Sequence, residues 1–164
     1  MQLKMKYFAN GLRALSDTKI VMDTNTFLRA LAEVTGYVEA LNTIKKFRHI
    51  IIASKEIVKE YEGRAKIFGT RYMLNLRIIE LKNSSKLEII KRSRIQGKLH
   101  NLNLRRMPSH KRDSKFVILA AVECAKYILS KDHHLLDLHP YHFDDNHVDI
   151  LEPLAYVEEQ VGST

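Results

Sequence analysis

The sequence predicts an α/β protein, a three-layer α/β/α sandwich built on a central, mainly parallel sheet. Two short apolar runs, KIVMD at 19–23 and HIIIA at 49–53, read as strands covered on both faces. Segments with apolar residues at helical spacing separate such runs. The alternation continues to the end of the chain, which is the pattern of consecutive β-α-β units.

Residues 1–16 (MQLKMKYFANGLRALS) are basic and loosely amphipathic. They lack the apolar core of about 7–15 residues that a secretory signal needs. We read 1–18 as a helical N-terminal extension and 19–164 as a single domain. After the first strand, Phe27, Leu28, Leu31 and Val34 mark a helix, and after Gly36 a second carries Val38, Leu41, Ile44 and Phe47. Ser54 follows the second strand as the N-cap of a helix bearing Ile57, Val58 and Tyr61. A helix through Met73, Leu74, Leu76, Ile78, Ile79 and Leu81 leads to a strand at 87–90. Residues 93–112 contain Gly97 and Pro108 and show no sustained period, so they read as a loop or partly helical arm. Asp113 opens a helix whose apolar side holds Phe116, Val117, Leu119, Ala120 and Cys124, the last read as core. A strand at 127–129, a helical turn at 135–138, a strand at 148–151 and a helix entered through Pro153 complete the order.

Composition removes several classes of function. The 164 residues are 45% hydrophobic, ample for one core and too evenly apolar for a disordered chain. No uninterrupted apolar stretch approaches the roughly 20 residues of a membrane span. The single cysteine excludes a disulfide framework and a cysteine-built zinc site. The net charge of +8 points to a polyanionic partner, and it is unevenly placed. Residues 82–112 carry ten Lys or Arg against Glu88 alone, whereas the chain from Asp132 onward has eight acids and no Lys or Arg.

In open parallel sheets, chemistry gathers beyond the carboxyl ends of the strands. Asp23 and Asp132 stand at two such ends. Singly, each reads as a turn or cap carboxylate, Asp113 as an N-cap and Glu60 as one more helix acid. Taken in order, Ile20-Val21-Met22-Asp23-Thr24-Asn25, Ser54-x-x-Ile57-x-x-Glu60, Asp113-x-x-Phe116 and Tyr127-x-x-Ser130-x-Asp132-x-x-Leu135-Leu136 resemble the PIN-domain nucleases. The likeness runs from about 19 to 157, and its spacing is similar to the archaeal and bacterial toxin-like PIN proteins. It implies a cytoplasmic, metal-dependent endoribonuclease: the toxin of a toxin–antitoxin pair, or an RNA-processing nuclease. It also implies that Asp23, Glu60, Asp113 and Asp132 converge on Mg²⁺ or Mn²⁺, with Asn25 and Ser130 in support, and that an antitoxin and a second copy are partners. Crowded carboxylates repel, so a hard divalent cation with oxygen ligands is their natural counter-charge.

The basic arm at about 91–112 leads directly into Asp113. Lys91, Arg92, Arg94, Lys98, Arg105, Arg106, Lys111 and Arg112 are therefore expected to hold RNA phosphates, salt-sensitively and without reading bases. Many relatives carry an acid where this chain has His134, which favours an alternative, a catalytically weak PIN-like module for RNA binding or assembly. A phospho-acceptor regulator would also use strand-end aspartates but has no role for the arm. His133, His134, His139, His142 and His147 crowd one acidic stretch, read as polar turns, with a zinc site or histidine acid–base cleavage as alternatives.

Overall fold

The computed structural model describes residues 17–65, 71–104 and 106–163. Most of the N-terminal extension, and Arg105 of the arm, lie outside the described residues. The apolar runs form strands β1 (Thr18–Met22), β2 (His49–Ser54), β3 (Leu87–Ile90), β4 (Tyr127–Leu129), β5 (Tyr141–Phe143) and β6 (Asn146–Leu151). They make one sheet in the order β3-β2-β1-β4-β6-β5, parallel except for the β5–β6 pair. Met22 lies opposite Leu129, and Leu129 opposite Leu151, so the middle strands end level with one another. Ile20, Val21, Met22, Ile51, Ile52, Ile128 and Leu129 are fully buried, as strands covered by helices on both faces require.

Helices α1 (Thr24–Leu31), α2 (Val38–Lys46), α3 (Lys55–Ala65), α4 (Arg71–Asn83), α5 (Arg92–Leu99), α6 (Ser114–Val122), α7 (His133–Leu136) and α8 (Pro153–Gly162) complete the sandwich. Gly36 turns the chain between α1 and α2 at φ +87°, a conformation that a side chain would strain. The Ser54 hydroxyl accepts from the Ile57 N–H, the cap expected of it. Tyr61 on α3 is fully buried, stacks on Phe27 of α1 at 4.2 Å and donates its hydroxyl proton to the Met22 carbonyl at 2.7 Å. That bond fixes α3, and Glu60 with it, to the carboxyl end of β1. On α4 the inward residues Leu74, Ile78 and Leu81 are buried, while Tyr72, Met73, Leu76 and Ile79 form an exposed apolar stripe.

The structure departs from the sequence reading in three places. β1 begins at Thr18, inside the stretch assigned to the extension. The arm, read as a loop or partly helical, opens as helix α5, held by packing on α6 and not by a periodic pattern of its own. Strand β5 was not foreseen, because His142 and the Asp144 turn hide the alternation of buried Tyr141 and Phe143. Cys124 is not core: α6 stops at Val122, the chain turns at Cys124 with φ 50°, and the thiol is exposed.

Where α6 ends, the core takes in a charge. The Glu123 side chain is fully buried and receives three cations. Lys19 Nζ is 2.7 Å from Oε2; Arg94 grips both oxygens, Nε at 2.7 Å and Nη2 at 2.6 Å; Lys98 stands at 3.4 Å. Burial alone would raise this carboxyl, but hydrogen bonds from Lys19 and Arg94 outweigh it and hold Glu123 below the usual carboxylate range. Lys86 is likewise engaged, donating to the carbonyls of Ile44, Phe47 and His49. Three of the ten basic residues between 82 and 112 thus hold the fold together. Glu123→Ala would leave the three cations facing each other. Because they are partly hydrated, we expect a loss of about 2–3 kcal/mol in urea unfolding at pH 7. A depressed folded-state carboxyl stabilises above its unfolded value and stops doing so as pH falls through the folded one. The wild-type advantage should therefore vanish on acidification below the normal carboxylate range.

Candidate functional site

The strand order reverses beside β1, with β2 on one side and β4 on the other. This switch point opens a crevice at the carboxyl ends of the strands. A cleft of about 460 Å³ occupies it, lined by Asp23, Glu60, Asp113 and Asp132 together with Asn25, Arg29, Tyr37, Arg64, His110, Arg112, Lys131, His133 and His134. All four acids singled out in the sequence face this one cavity.

Asp23 and Asp132 each cap a helix, as their simple reading predicted. Asp23 Oδ1 accepts from the Thr26 N–H at 2.7 Å, and Asp132 Oδ1 from the His134 N–H at 2.9 Å. Ser130, fully buried, accepts from the Asp132 N–H at 2.9 Å, and its hydroxyl is near enough to Asp23 to lower that carboxyl. Ser130 therefore ties the ends of two adjacent strands together. Asp113 behaves differently. It sits at the N-cap position of α6, after a 3-10 turn over Lys111–Asp113, yet its side chain caps nothing. The best structural explanation for this acid is absent.

The electrostatics follow. Burial pushes the Asp23 carboxyl up, and the Asp132 charge adds to it against the lowering hydrogen bonds from Ser130 and Thr26. Burial and then Asp132 also push Asp113 up, opposed by His110, Lys115 and His134. Asp132 is thus the shared neighbour of two strained carboxylates. No Lys or Arg forms a salt bridge with any of the three aspartates among the described residues.

Glu60 lies on the same wall but is occupied. Thr24 Oγ1 donates to Oε1 at 2.6 Å, Lys115 forms an ion pair with Oε2, and Arg64 Nε is 3.8 Å from Oε1. Burial would raise Glu60, but Lys115 and Thr24 reverse the sign and hold it low. The donor set of Asp23, Asp113 and Asp132, all oxygen and mutually repelling, fits a hard divalent cation. Their oxygens do not yet close to bonding range. Among the described residues, three potential ligand atoms lie within 4.8 Å of one another at Asp132, His133 and His134.

The supporting and basic residues are more scattered than expected. Asn25 is exposed at the rim and accepts from Arg64 at 3.3 Å. Of the arm, Arg112 reaches this cleft, Arg92 lines a separate groove with Lys55, Lys59 and Lys115, and Arg94 and Lys98 belong to Glu123. Much of the positive rim instead comes from Arg29, Arg64 and Lys131, which no charge run marked. Lys115 was also missed, although its place two residues after Asp113 on a new helix was a usable signal. Asp132→Asn keeps the cap, since Asn caps as well as Asp, and removes the shared repulsion. Groups raised in the folded state oppose folding when ionised and cease to do so once protonated. The variant should therefore melt about 1–3 °C higher at pH 7 by scanning calorimetry, with the gain lost as pH falls into the carboxylate range.

No protein-family model matches the chain, and no curated protein matches it in sequence. Among solved structures it is similar to the crystal structure of VapBC2 from Rickettsia felis bound to a DNA fragment from their promoter. The superposition has a TM-score of 0.51 at 19% identity and covers 70% of this chain and 89% of that one. At this identity the likeness is one of fold, and it supports a PIN-like α/β/α arrangement.

Proposed function

We propose that this protein is a metal-dependent endoribonuclease whose centre is the aspartate cleft at the β1–β4 switch point. The observation that carries the reading is Asp113, a helix-start acid that caps nothing, lines the crevice and feels the Asp132 charge. Asp23, Asp113 and Asp132 would hold Mg²⁺ or Mn²⁺. Such a cation supplies neutralisation of the carboxylates and Lewis-acid stabilisation of the charge that builds on a phosphodiester.

The chain's own residues do the rest. Ser130 keeps Asp23 and Asp132 at a fixed separation. Glu60, with its charge already met, acts as a positioning residue that holds Thr24 and Lys115 at the edge of the site. Arg29, Arg64, Arg112 and Lys131 surround the acids, so an anionic strand meets positive charge before it meets the carboxylates. Contacts of this kind grip phosphates without reading bases. RNA is favoured over DNA by the resemblance to PIN nucleases. The similarity to VapBC2, together with the exposed stripe of Tyr72, Met73, Leu76 and Ile79, supports a protein partner on α4, such as an antitoxin or a second copy. A partner arginine entering the acidic cleft would compete with the cation.

A second reading, an RNA-binding or assembly module without catalysis, is favoured by His134 at a position where relatives carry an acid. Incubation of the full chain with mixed RNA and Mn²⁺ separates the two. Cleavage abolished by EDTA is the expected result, whereas RNA retained but uncut would establish the module. Asp23→Asn, Asp113→Asn and Asp132→Asn should each lower the cleavage rate by about 10²–10³-fold with an unchanged circular dichroism spectrum. Glu60→Gln should cost less, about 10–100-fold, as expected of a supporting group. Full activity in the aspartate variants would remove the assignment.

A further inference from the structure

The geometry points to a second kind of cation site at the mouth of the cleft, where Asp132, His133 and His134 bind a borderline transition-metal ion of the Zn²⁺ or Co²⁺ class. One ligand atom from each of these residues lies within 4.8 Å of the other two, with His133 Nδ1 3.9 Å from Asp132 Oδ1. Two ligands about 2.0 Å from one tetrahedral ion stand about 3.3 Å apart, so the closure needed is on the order of 1 Å. His133 is exposed and can turn at little cost. The backbone is already set, because the His134 N–H donates to Asp132 Oδ1 and fixes that carboxylate over the first turn of α7.

Two further contacts fit ligation. Ser109 Oγ is 2.7 Å from His134 Nδ1. A hydrogen bond to one ring nitrogen orients an imidazole and makes the other nitrogen a better ligand, so binding through Nε2 would retain it. The His110 ring stands 5.3 Å from the His134 ring, near enough to guard an open fourth position. Imidazole with one carboxylate suits Zn²⁺, Co²⁺ or Ni²⁺, whereas Mg²⁺ prefers an all-oxygen shell. The chain thus offers two donor chemistries that share Asp132: oxygen toward Asp23 and Asp113, nitrogen toward the histidines. An ion in the histidine site would draw Asp132 away from the other two aspartates and oppose whatever they do.

The site does not require the nuclease reading, and the test keeps the two apart. The full chain is titrated with Co²⁺ alone, following the visible absorption of tetrahedral cobalt, and then with Zn²⁺ as competitor. We expect saturation near one ion per chain, displaced by Zn²⁺. His133→Ala and His134→Ala should each weaken binding at least about 10-fold, while His147→Ala binds as wild type. In RNA cleavage with Mn²⁺, added Zn²⁺ should inhibit the wild type and spare the histidine variants. Cobalt binding unaffected by both histidine substitutions, binding lost instead in His147→Ala, or no saturable signal would each overturn the site. If cobalt binds as expected and no RNA is cut under any condition, the histidine site stands and the nuclease reading alone fails.

Discussion

The fold brings like charges together where its strands end, and the rest of the site answers that constraint. The register that pairs Met22 with Leu129 sets Asp23 level with Ser130, and Asp132 follows two residues on, so both carboxylates enter the crevice at the ends of β1 and β4. The caps of α1 and α7 hold them further, each satisfying one carboxylate oxygen, while Ser130 accepts from the Asp132 backbone N–H. Asp113 is then delivered to the same crevice by a different element. Crowding of this kind opposes folding, and a protein that keeps it is storing electrostatic strain at one place.

Glu123 shows that the chain can neutralise a buried acid when stability is the need. Lys19, Arg94 and Lys98 surround it at the amino end of the sheet, four residues and about 13 Å of strand from Asp23. The two ends of β1 therefore carry opposite treatments of the same functional group. At one end an acid is met by three cations and held well ionised. At the other, three acids line one crevice, and Lys and Arg side chains line its rim or pair with Glu60. Glu123 and Asp23 are both buried, and they differ in their partners.

Much of this was legible in the sequence because it depends on local pattern. The runs KIVM and HIII could only be covered strands, Ser54 and Pro153 marked helix starts, and strand-end acids gave Asp23 and Asp132. What the sequence concealed depends on tertiary contact. The arm looked like one electrostatic unit, yet its cations are shared among Glu123, a groove beside α3 and the cleft. Nothing local to Arg94 says that its partner lies 29 residues on. The helix through Cys124 was drawn two residues too long, since an apolar run does not show where the chain must turn. Strand β5 exists because β6 offers it an edge, and its own three residues are too few to announce it.

Glu60 sharpens the account of the site. Its position matches the pattern that named it, and by proximity alone it would count as a fourth metal ligand. Its partners argue otherwise: Lys115, Thr24 and Arg64 already satisfy it, and its carboxyl is held low where those of Asp23 and Asp113 are raised. A group whose charge is met by the chain has little to gain from an added cation, and displacing Lys115 would leave an ammonium without its partner. The three aspartates have the opposite balance. Among the described residues none of the three has a Lys or Arg bridge, and each would be relieved by positive charge from outside. The division of labour in the cleft therefore follows from which acids the protein left unneutralised.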